Sequence, residues 1–125
     1  MFQHRHALLR IEKDERTTTI TISTEELNED NLPTLAAQMF AIAEGLDGGR
    51  LEVDLGKVGY LTSTALGKFV GLNKRVRDRG GRLILTNLTD VVYEVFEVTQ
   101  LHRVLDIRRA EGADASREGF TPLAS

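Results

Sequence analysis

The sequence contains no cysteine among its 125 residues, and this absence removes several kinds of chemistry. Without cysteine there is no disulfide, no thiolate metal site and no cysteine nucleophile. No apolar run approaches the roughly 20 residues of a membrane span, and the first residues lack the apolar core and cleavage site of a signal peptide. The net charge of −3 is unfavourable for binding a nucleic-acid backbone. We therefore expect a soluble cytoplasmic protein with no membrane or nucleic-acid partner.

Histidine is also scarce, and the sequence shows no catalytic or cofactor-binding motif. His4 and His6 are spaced as a metal-binding pair, but no third ligand stands at a recognisable distance along the sequence. The glycine pairs form neither a phosphate-binding loop nor a dinucleotide motif, and no catalytic triad can be assigned. We therefore predict no metal site, no cofactor and no enzymatic activity.

What the sequence does contain is one domain's worth of alternating strand and helix patterns. Period-two or short apolar runs predict strands at 7–12, 17–23, 51–55, 83–85 and 104–107. Helical spacing predicts a first helix starting near Asn31 and Pro33 and ending at Gly48 and Gly49. It also predicts a second helix ending at Gly80 and a third capped by Asn87 or Thr89, with Val91, Val92, Val95 and Phe96 as its apolar positions. The order β-β-α-β-α-β-α-β predicts an α/β domain with a mixed, mostly parallel sheet and helices mainly on one face.

A cluster of hydroxyl side chains stands where the strand at 51–55 leads into the second helix. Thr62, Ser63 and Thr64 follow one another at this junction, and a helix N-terminus offers unpaired N–H groups and partial positive charge. Such a position suits a capping oxygen, whose loss costs about 1 kcal/mol. It equally suits a phosphate. The pattern alone leaves both interpretations open.

The segment LEVDLGKVGYLTSTALGKFVGLNKRVRDRGGR at 51–82 resembles the STAS domain family, the anti-sigma-factor antagonists. The sequence pattern of that family in this segment is close to LVLDLSGVxFIDSSGLGxLLxLxKRxRxxGGxL. The residues that match it are Leu51, Val53, Asp54, Leu55, Val58, Leu61, Ser63, Leu66, Gly67, Leu72, Lys74, Arg75, Arg77, Gly80, Gly81 and Leu83. The resemblance predicts a STAS domain at 7–107, and the low hydrophobicity of 108–125 predicts a flexible tail.

The resemblance also implies a function and a modified residue. In STAS antagonists, the second serine of Asp-Ser-Ser-Gly is phosphorylated by a partner kinase that is itself the anti-sigma factor. Thr62 stands here in place of the aspartate, Ser63 matches the first serine, Thr64 takes the acceptor position and Ala65 replaces the glycine. The resemblance therefore implies phosphorylation at Thr64, or at Ser63 as second choice, by a serine/threonine kinase of the GHKL type, with a possible phosphatase as a further partner.

The same resemblance predicts which surface the partner contacts. STAS antagonists bind their kinase through the region around the acceptor and through the loop before the first helix. The predicted contact residues are Asn28, Asp30, Thr62, Ser63, Thr64, Ala65 and Lys68. The alternative is a STAS scaffold subunit of a larger signalling or transport complex that is never phosphorylated, which the replacement of aspartate by Thr62 favours. The sequence is compatible with a monomer or a weak dimer.

Overall fold

Strands and helices alternate along the chain in the computed structural model, which describes residues 8–110. The strands are β1 (Leu9–Lys13), β2 (Thr17–Ile22), β3 (Glu26–Leu27), β4 (Gly49–Asp54), β5 (Tyr60–Leu61), β6 (Gly81–Leu88) and β7 (Asp106–Arg109). The α-helices are α1 (Leu32–Glu44), α2 (Ser63–Asp78) and α3 (Asp90–Val98), and a 3-10 turn covers Leu101–Arg103. Within residues 8–110, no helix combines the length and apolar character needed to cross a bilayer.

The main sheet has five strands in the order β1-β2-β4-β6-β7. β1 and β2 form an antiparallel hairpin, whereas each of the other neighbouring pairs is parallel. Parallel neighbours need crossover connections, which α1, α2 and α3 provide. The predicted α/β class with a mixed, mostly parallel sheet is confirmed.

The two faces of this sheet differ in chemistry because side chains alternate along each strand. On one face, Ile20, Val53 and Leu85 are buried and occupy equivalent positions on neighbouring strands. Leu35 of α1, Phe69 of α2 and Phe96 of α3 belong to the same apolar cluster. The opposite face presents polar and charged side chains, and its members include Thr19, Glu52, Asp54, Arg82, Asp106 and Arg108.

Several element boundaries differ from the sequence prediction. α1 ends at Glu44 with Gly45 as its C-cap, three residues before the predicted end at Gly48. Gly48 and Gly49 adopt left-handed φ values of 76° and 82° and form the turn into β4. The last strand begins at Asp106, since the amides of Val104 and Leu105 donate to the Leu101 carbonyl and close the 3-10 turn. It continues to Arg109, two residues into the segment predicted as a tail. Ala7, His4, His6 and the rest of that predicted tail, 111–125, lie outside the described residues.

In the third helix one of the two predicted caps is confirmed, and one predicted apolar position is wrong. Thr89 caps α3, because its side chain accepts a hydrogen bond from the Val92 amide at 3.4 Å. Val92 and Phe96 are buried as predicted, but Val91 is 63% exposed. Helical spacing identifies the apolar stripe, whereas the width of the buried face depends on how closely α3 approaches the sheet.

Candidate functional site

The start of α2 is organised by one of the three clustered hydroxyls. Thr62 has an extended backbone, with φ −81° and ψ 166°, and its side chain accepts a hydrogen bond from the Ala65 amide at 3.2 Å. Its carbonyl accepts from the Leu66 amide at 3.1 Å, which begins the helical ladder. Thr62 is therefore the N-cap, and the cap needs no oxygen from the two residues that follow.

Ser63 and Thr64, in the first turn of α2, are both exposed. Neither hydroxyl has a hydrogen-bond partner among residues 8–110. The first turn contains no acidic residue, so the partial positive charge of the helix end is not offset locally. Both hydroxyls are therefore accessible at a helix end that favours added negative charge.

A second, two-stranded sheet brings the loop before α1 next to this helix start. β3 and β5 pair in parallel, with Glu26 opposite Tyr60 and Leu27 opposite Leu61. The Thr62 amide extends this ladder by donating to the Leu27 carbonyl at 3.1 Å. Thus the position at which α2 begins is fixed by a contact with residues more than thirty positions earlier in the chain.

The loop at 28–31 is held in shape by two asparagine side chains. Asn28 Oδ1 accepts hydrogen bonds from the amides of Asp30 at 3.0 Å and Asn31 at 3.3 Å. Asn31 Oδ1 accepts from the Asn28 amide at 3.1 Å, while its Nδ2 donates to the Glu26 carbonyl at 2.8 Å. The Asn28 Nδ2 donates to Glu26 Oε1 at 3.1 Å. Asn28 therefore shapes the loop with its side chain, and it leaves Glu29 and Asp30 exposed.

Between this loop and the start of α2 lies a shallow depression of about 240 Å³. Its lining residues are Asn28, Glu29, Asp30, Tyr60 and Thr62. Tyr60 is 56% exposed, and the two carboxylates give this surface a negative character. An exposed aromatic ring beside hydrogen-bond-accepting side chains is suited to contact with a protein partner.

The turn that leads from β4 towards this site is fixed by Asp54. Its Oδ1 accepts hydrogen bonds from the Gly56 amide at 2.8 Å and from Asn87 Nδ2 at 3.2 Å. Asn87 adopts a left-handed φ of 64°, and a Cβ on Gly56 would lie 2.5 Å from Asn87 Nδ2. The loop between β4 and β5 is therefore tied to the end of β6.

The structure brings most of the predicted contact residues to one surface, with Ala65 as a correction. Ala65 is fully buried, because the first turn of α2 packs that position against the core, so it offers no side chain to a partner. Lys68 is exposed one turn further along α2. Sequence reasoning missed Tyr60 and Glu29 as part of this surface, since only the β3–β5 pairing shows that the two loops meet.

Comparison with known proteins identifies the family of this fold and site. The family model described as "Mlab, STAS domain" matches residues 9–107. The chain belongs to the STAS domain family. The family assignment made from residues 51–82 is thus confirmed over nearly the whole described region.

Curated relatives of this STAS domain include regulatory proteins of two bacteria. A protein of Listeria monocytogenes named anti-sigma-B factor antagonist is 38% identical over 77 residues, covering 62% of this chain and 65% of the relative. A protein of the same name from Bacillus subtilis is 36% identical over 88 residues, covering 70% of this chain and 79% of the relative. The match to the Listeria protein therefore spans slightly less than two thirds of that protein's length.

A solved structure shows the same fold at lower sequence identity. The anti-sigma-factor antagonist (STAS) domain protein from Planctomyces limnophilus superposes with a TM-score of 0.74 and is 20% identical. The superposition covers 85% of this chain and 93% of that protein. The STAS architecture is therefore preserved where most side chains differ.

Proposed function

We propose that this STAS domain is an anti-sigma-factor antagonist that binds a GHKL-type serine/threonine kinase and is released when the kinase phosphorylates Thr64. The antagonist role is supported by the names of the relatives from Listeria and Bacillus. The proposed switch rests on one observation, the different roles of the three hydroxyls at 62–64. Thr62 caps α2, whereas Ser63 and Thr64 keep exposed hydroxyls. Ser63 is the second candidate acceptor, and a phosphatase would reverse the modification.

Release is explained by charge at the contact surface rather than by refolding of the domain. A phosphate adds about −1.5 to −2 charges, and its interaction with a helix N-terminus is worth only about 0.3–1 kcal/mol. That energy is too small to rearrange a packed core. At the contact surface, however, a phosphate on the first turn of α2 would stand beside the N-cap Thr62, which lines the depression. A partner that covers this surface would have to desolvate the charged phosphate, and this cost weakens binding.

The proposed docking surface consists of Glu29, Asp30, Tyr60, Ser63, Thr64 and Lys68, and all six residues are exposed. The first three line the depression, and the other three lie on the first two turns of α2. Asn28 and Thr62 act from beneath this docking surface, because one shapes the loop and the other caps the helix. The surface works by binding a protein, so the proposed role is regulatory and non-enzymatic, and its place is the bacterial cytoplasm.

The phosphorylation step is tested with the GHKL-type kinase encoded nearest to this gene. The purified protein is incubated with that kinase and Mg-ATP, and tryptic digestion then isolates peptide 58–68, because Lys57 and Lys68 bound it. We expect mass spectrometry to place one phosphate on Thr64. Thr64→Val should abolish it, while Ser63→Ala should keep it. Absence of phosphate from both residues, with binding intact, would remove the switch and retain the docking role.

Binding is tested separately from phosphorylation by placing a fixed charge at the acceptor. Thr64→Glu should raise the dissociation constant for the kinase by roughly tenfold or more, and Thr64→Val should leave it near the wild-type value. Because Thr64 is exposed, both variants should keep the wild-type melting temperature. Equal affinity of Thr64→Glu and wild type would contradict a charge-driven release.

The scaffold alternative is favoured by one observation, the neutral Thr62 at the position where the family pattern has an aspartate. In that case the domain would be a permanent subunit of a larger signalling or transport complex. Tagged protein purified from its native cell distinguishes the two functions. Stable stoichiometric subunits without a kinase would support the scaffold, whereas recovery of a kinase would support the antagonist.

A further inference from the structure

The outer edge of β1 is a second candidate interaction surface, and it shares no residue with the docking surface. β1 pairs with β2 on one side, and among residues 8–110 no strand pairs with its other side. An exposed edge strand presents unpaired backbone groups that can accept another strand. Ile11 at the centre of β1 is 45% exposed although its side chain lies on the helix-bearing face.

The hydrogen-bond pattern determines which residues of β1 serve this edge. The Asp14 amide donates to the Thr17 carbonyl, and the Ser23 amide donates to the Leu8 carbonyl. The register between the two strands is continuous from Leu9 to Lys13. Since backbone groups alternate between the two sides of a strand, the amides and carbonyls of Leu9, Ile11 and Lys13 face outwards.

We propose that this edge joins a second copy of the chain, through an antiparallel β1–β1 pair centred on Ile11. In this two-fold arrangement Ile11 stands opposite Ile11 of the second copy, and both backbones form their hydrogen bonds there. Leu9 stands opposite Lys13, which also has outward-facing backbone groups. A second copy fits this register, because the same residues of both chains then form the same backbone hydrogen bonds, as an isologous interface requires.

Charge complementarity selects this register. Arg10 then lies opposite Glu12 of the second copy, and Glu12 lies opposite its Arg10, in non-hydrogen-bonded pairs whose Cα atoms are about 4.5 Å apart. Both side chains are exposed, and neither has an ion-pair partner among residues 8–110. A register centred on Arg10 or on Glu12 would place like charges opposite each other, which destabilises a strand pair.

Apolar surface beside the edge supports the same partner. A groove of about 280 Å³ runs between β1 and the end of α1, and its lining includes Ile11, Ala41, Ile42 and Leu46. Strand pairing centred on Ile11 would bring the Ile11 side chain of the second copy to this groove. The pair therefore combines backbone hydrogen bonds, two ion pairs and burial of apolar side chains.

The test is the oligomeric state of the full chain, measured by sedimentation velocity from micromolar to millimolar concentration. We expect a concentration-dependent dimer. Arg10→Glu and Glu12→Arg should each raise its dissociation constant by roughly tenfold or more, because two attractive pairs become repulsive. The double variant, which swaps the charges, should restore the dimer. Arg77→Glu, an identical charge change on the exposed side of α2, should have no effect.

Two results would overturn the proposal. One is a monomer at every concentration. The other is a dimer whose dissociation constant is insensitive to the single reversals or is not restored by the charge swap, because such a dimer would use another surface. Thermal unfolding of each variant provides the control for folding, since exposed charge changes should leave the melting temperature close to that of the wild type.

Discussion

Thr62 and Thr64 carry the same hydroxyl two residues apart, but their surroundings give them different roles. Thr62 is partly buried and accepts the Ala65 amide, whereas Thr64 is exposed on the first turn of α2. The sequence could not distinguish these roles, because three consecutive hydroxyls are equivalent as potential caps. The hydrogen bond from the Thr62 amide to the Leu27 carbonyl decides the matter by fixing the residue at which β5 ends.

Removing the cap should destabilise the domain, and removing the proposed acceptor should not. We expect Thr62→Ala to lower the free energy of unfolding by about 1 kcal/mol, because the Ala65 amide loses its partner. Thr62→Ser keeps the oxygen and is the matched control. Ser63→Ala and Thr64→Ala should each stay within about 0.5 kcal/mol of the wild type. Urea denaturation measures all four, and an equal loss for Thr62→Ala and Thr64→Ala would contradict the assignment.

A glycine at the opposite end of the sheet offers a second test at this scale. Gly49 has a φ of 82°, and a Cβ there would lie 2.6 Å from the Arg16 carbonyl oxygen. We expect Gly49→Ala to lower the free energy of unfolding by more than about 1 kcal/mol. Gly59→Ala is the control, because nothing lies within 4 Å of its position. Equal stabilities of the two variants in urea denaturation would contradict a close approach of the Arg16 carbonyl oxygen to position 49.

Among the elements, the long amphipathic ones were predictable and the short ones were not. α2 was predicted from the helical spacing of Leu66, Phe69, Val70, Asn73 and Val76. Leu66, Phe69 and Val76 are buried, whereas Val70 is 37% exposed. β3 and β5 were missed because each has two residues, too few to show an alternation. These short strands nevertheless bring the two loops of the candidate site together. The assembly of the site therefore depends on contacts that no local pattern reveals.

α2 itself contains a glycine that its own fold does not require. Gly67 lies in the helix interior and is exposed, and apart from its chain neighbours and the backbone of its own helix no atom lies within 4 Å of its Cβ position. We expect Gly67→Ala to raise the free energy of unfolding by about 0.5–1 kcal/mol, because alanine loses less backbone entropy in a helix. Chemical denaturation provides the measurement. A destabilised variant would contradict this expectation, because it would mean that a Cβ at position 67 meets other atoms.

At the scale of the whole molecule, the open face of the sheet is crossed by an ionic cluster. Asp106 Oδ2 accepts a hydrogen bond from Arg82 of β6 at 2.6 Å, and its Oδ1 accepts from Arg108 at 2.8 Å. The hydrogen bond from Arg108 is the main cause that lowers the pKa of Asp106 below its usual 3.8, although partial burial opposes it. The cluster links the edge strand β7 to its neighbour.

The lowered pKa predicts the direction of a pH effect. The unfolded chain takes up a proton at Asp106 before the folded chain does, so the contribution of Asp106 to stability is present above about pH 3.8. It is lost as the pH falls through the folded pKa. We expect the stability difference between wild type and Asp106→Asn to narrow in acid, as measured by denaturation at several pH values. Arg108→Gln should flatten the profile in the same way, and a difference that widens in acid would contradict the assignment.

The global topology was predictable because alternating strands and helices permit few arrangements of a parallel sheet. The charged face was not predicted as a cluster, since Arg82, Asp106 and Arg108 become neighbours only through the pairing of β6 with β7. Ile84 of β6 illustrates the same limit. It lies on the open face, between Glu52 of β4 and Asp106 of β7, and is nevertheless only 1% exposed.

The direction of the outermost strands has a practical consequence for handling the protein. β1 starts opposite the end of β2, and β7 finishes beside the end of β6, so the chain enters and leaves the sheet at the rim where α2 begins. An affinity tag or fluorophore inserted next to residue 8 or residue 110 would stand at the rim that carries the proposed docking surface. Immobilisation through such an insertion would obstruct a protein partner there. Probes attached in the hairpin at 14–16 or the turn at 45–48 would leave that rim unobstructed.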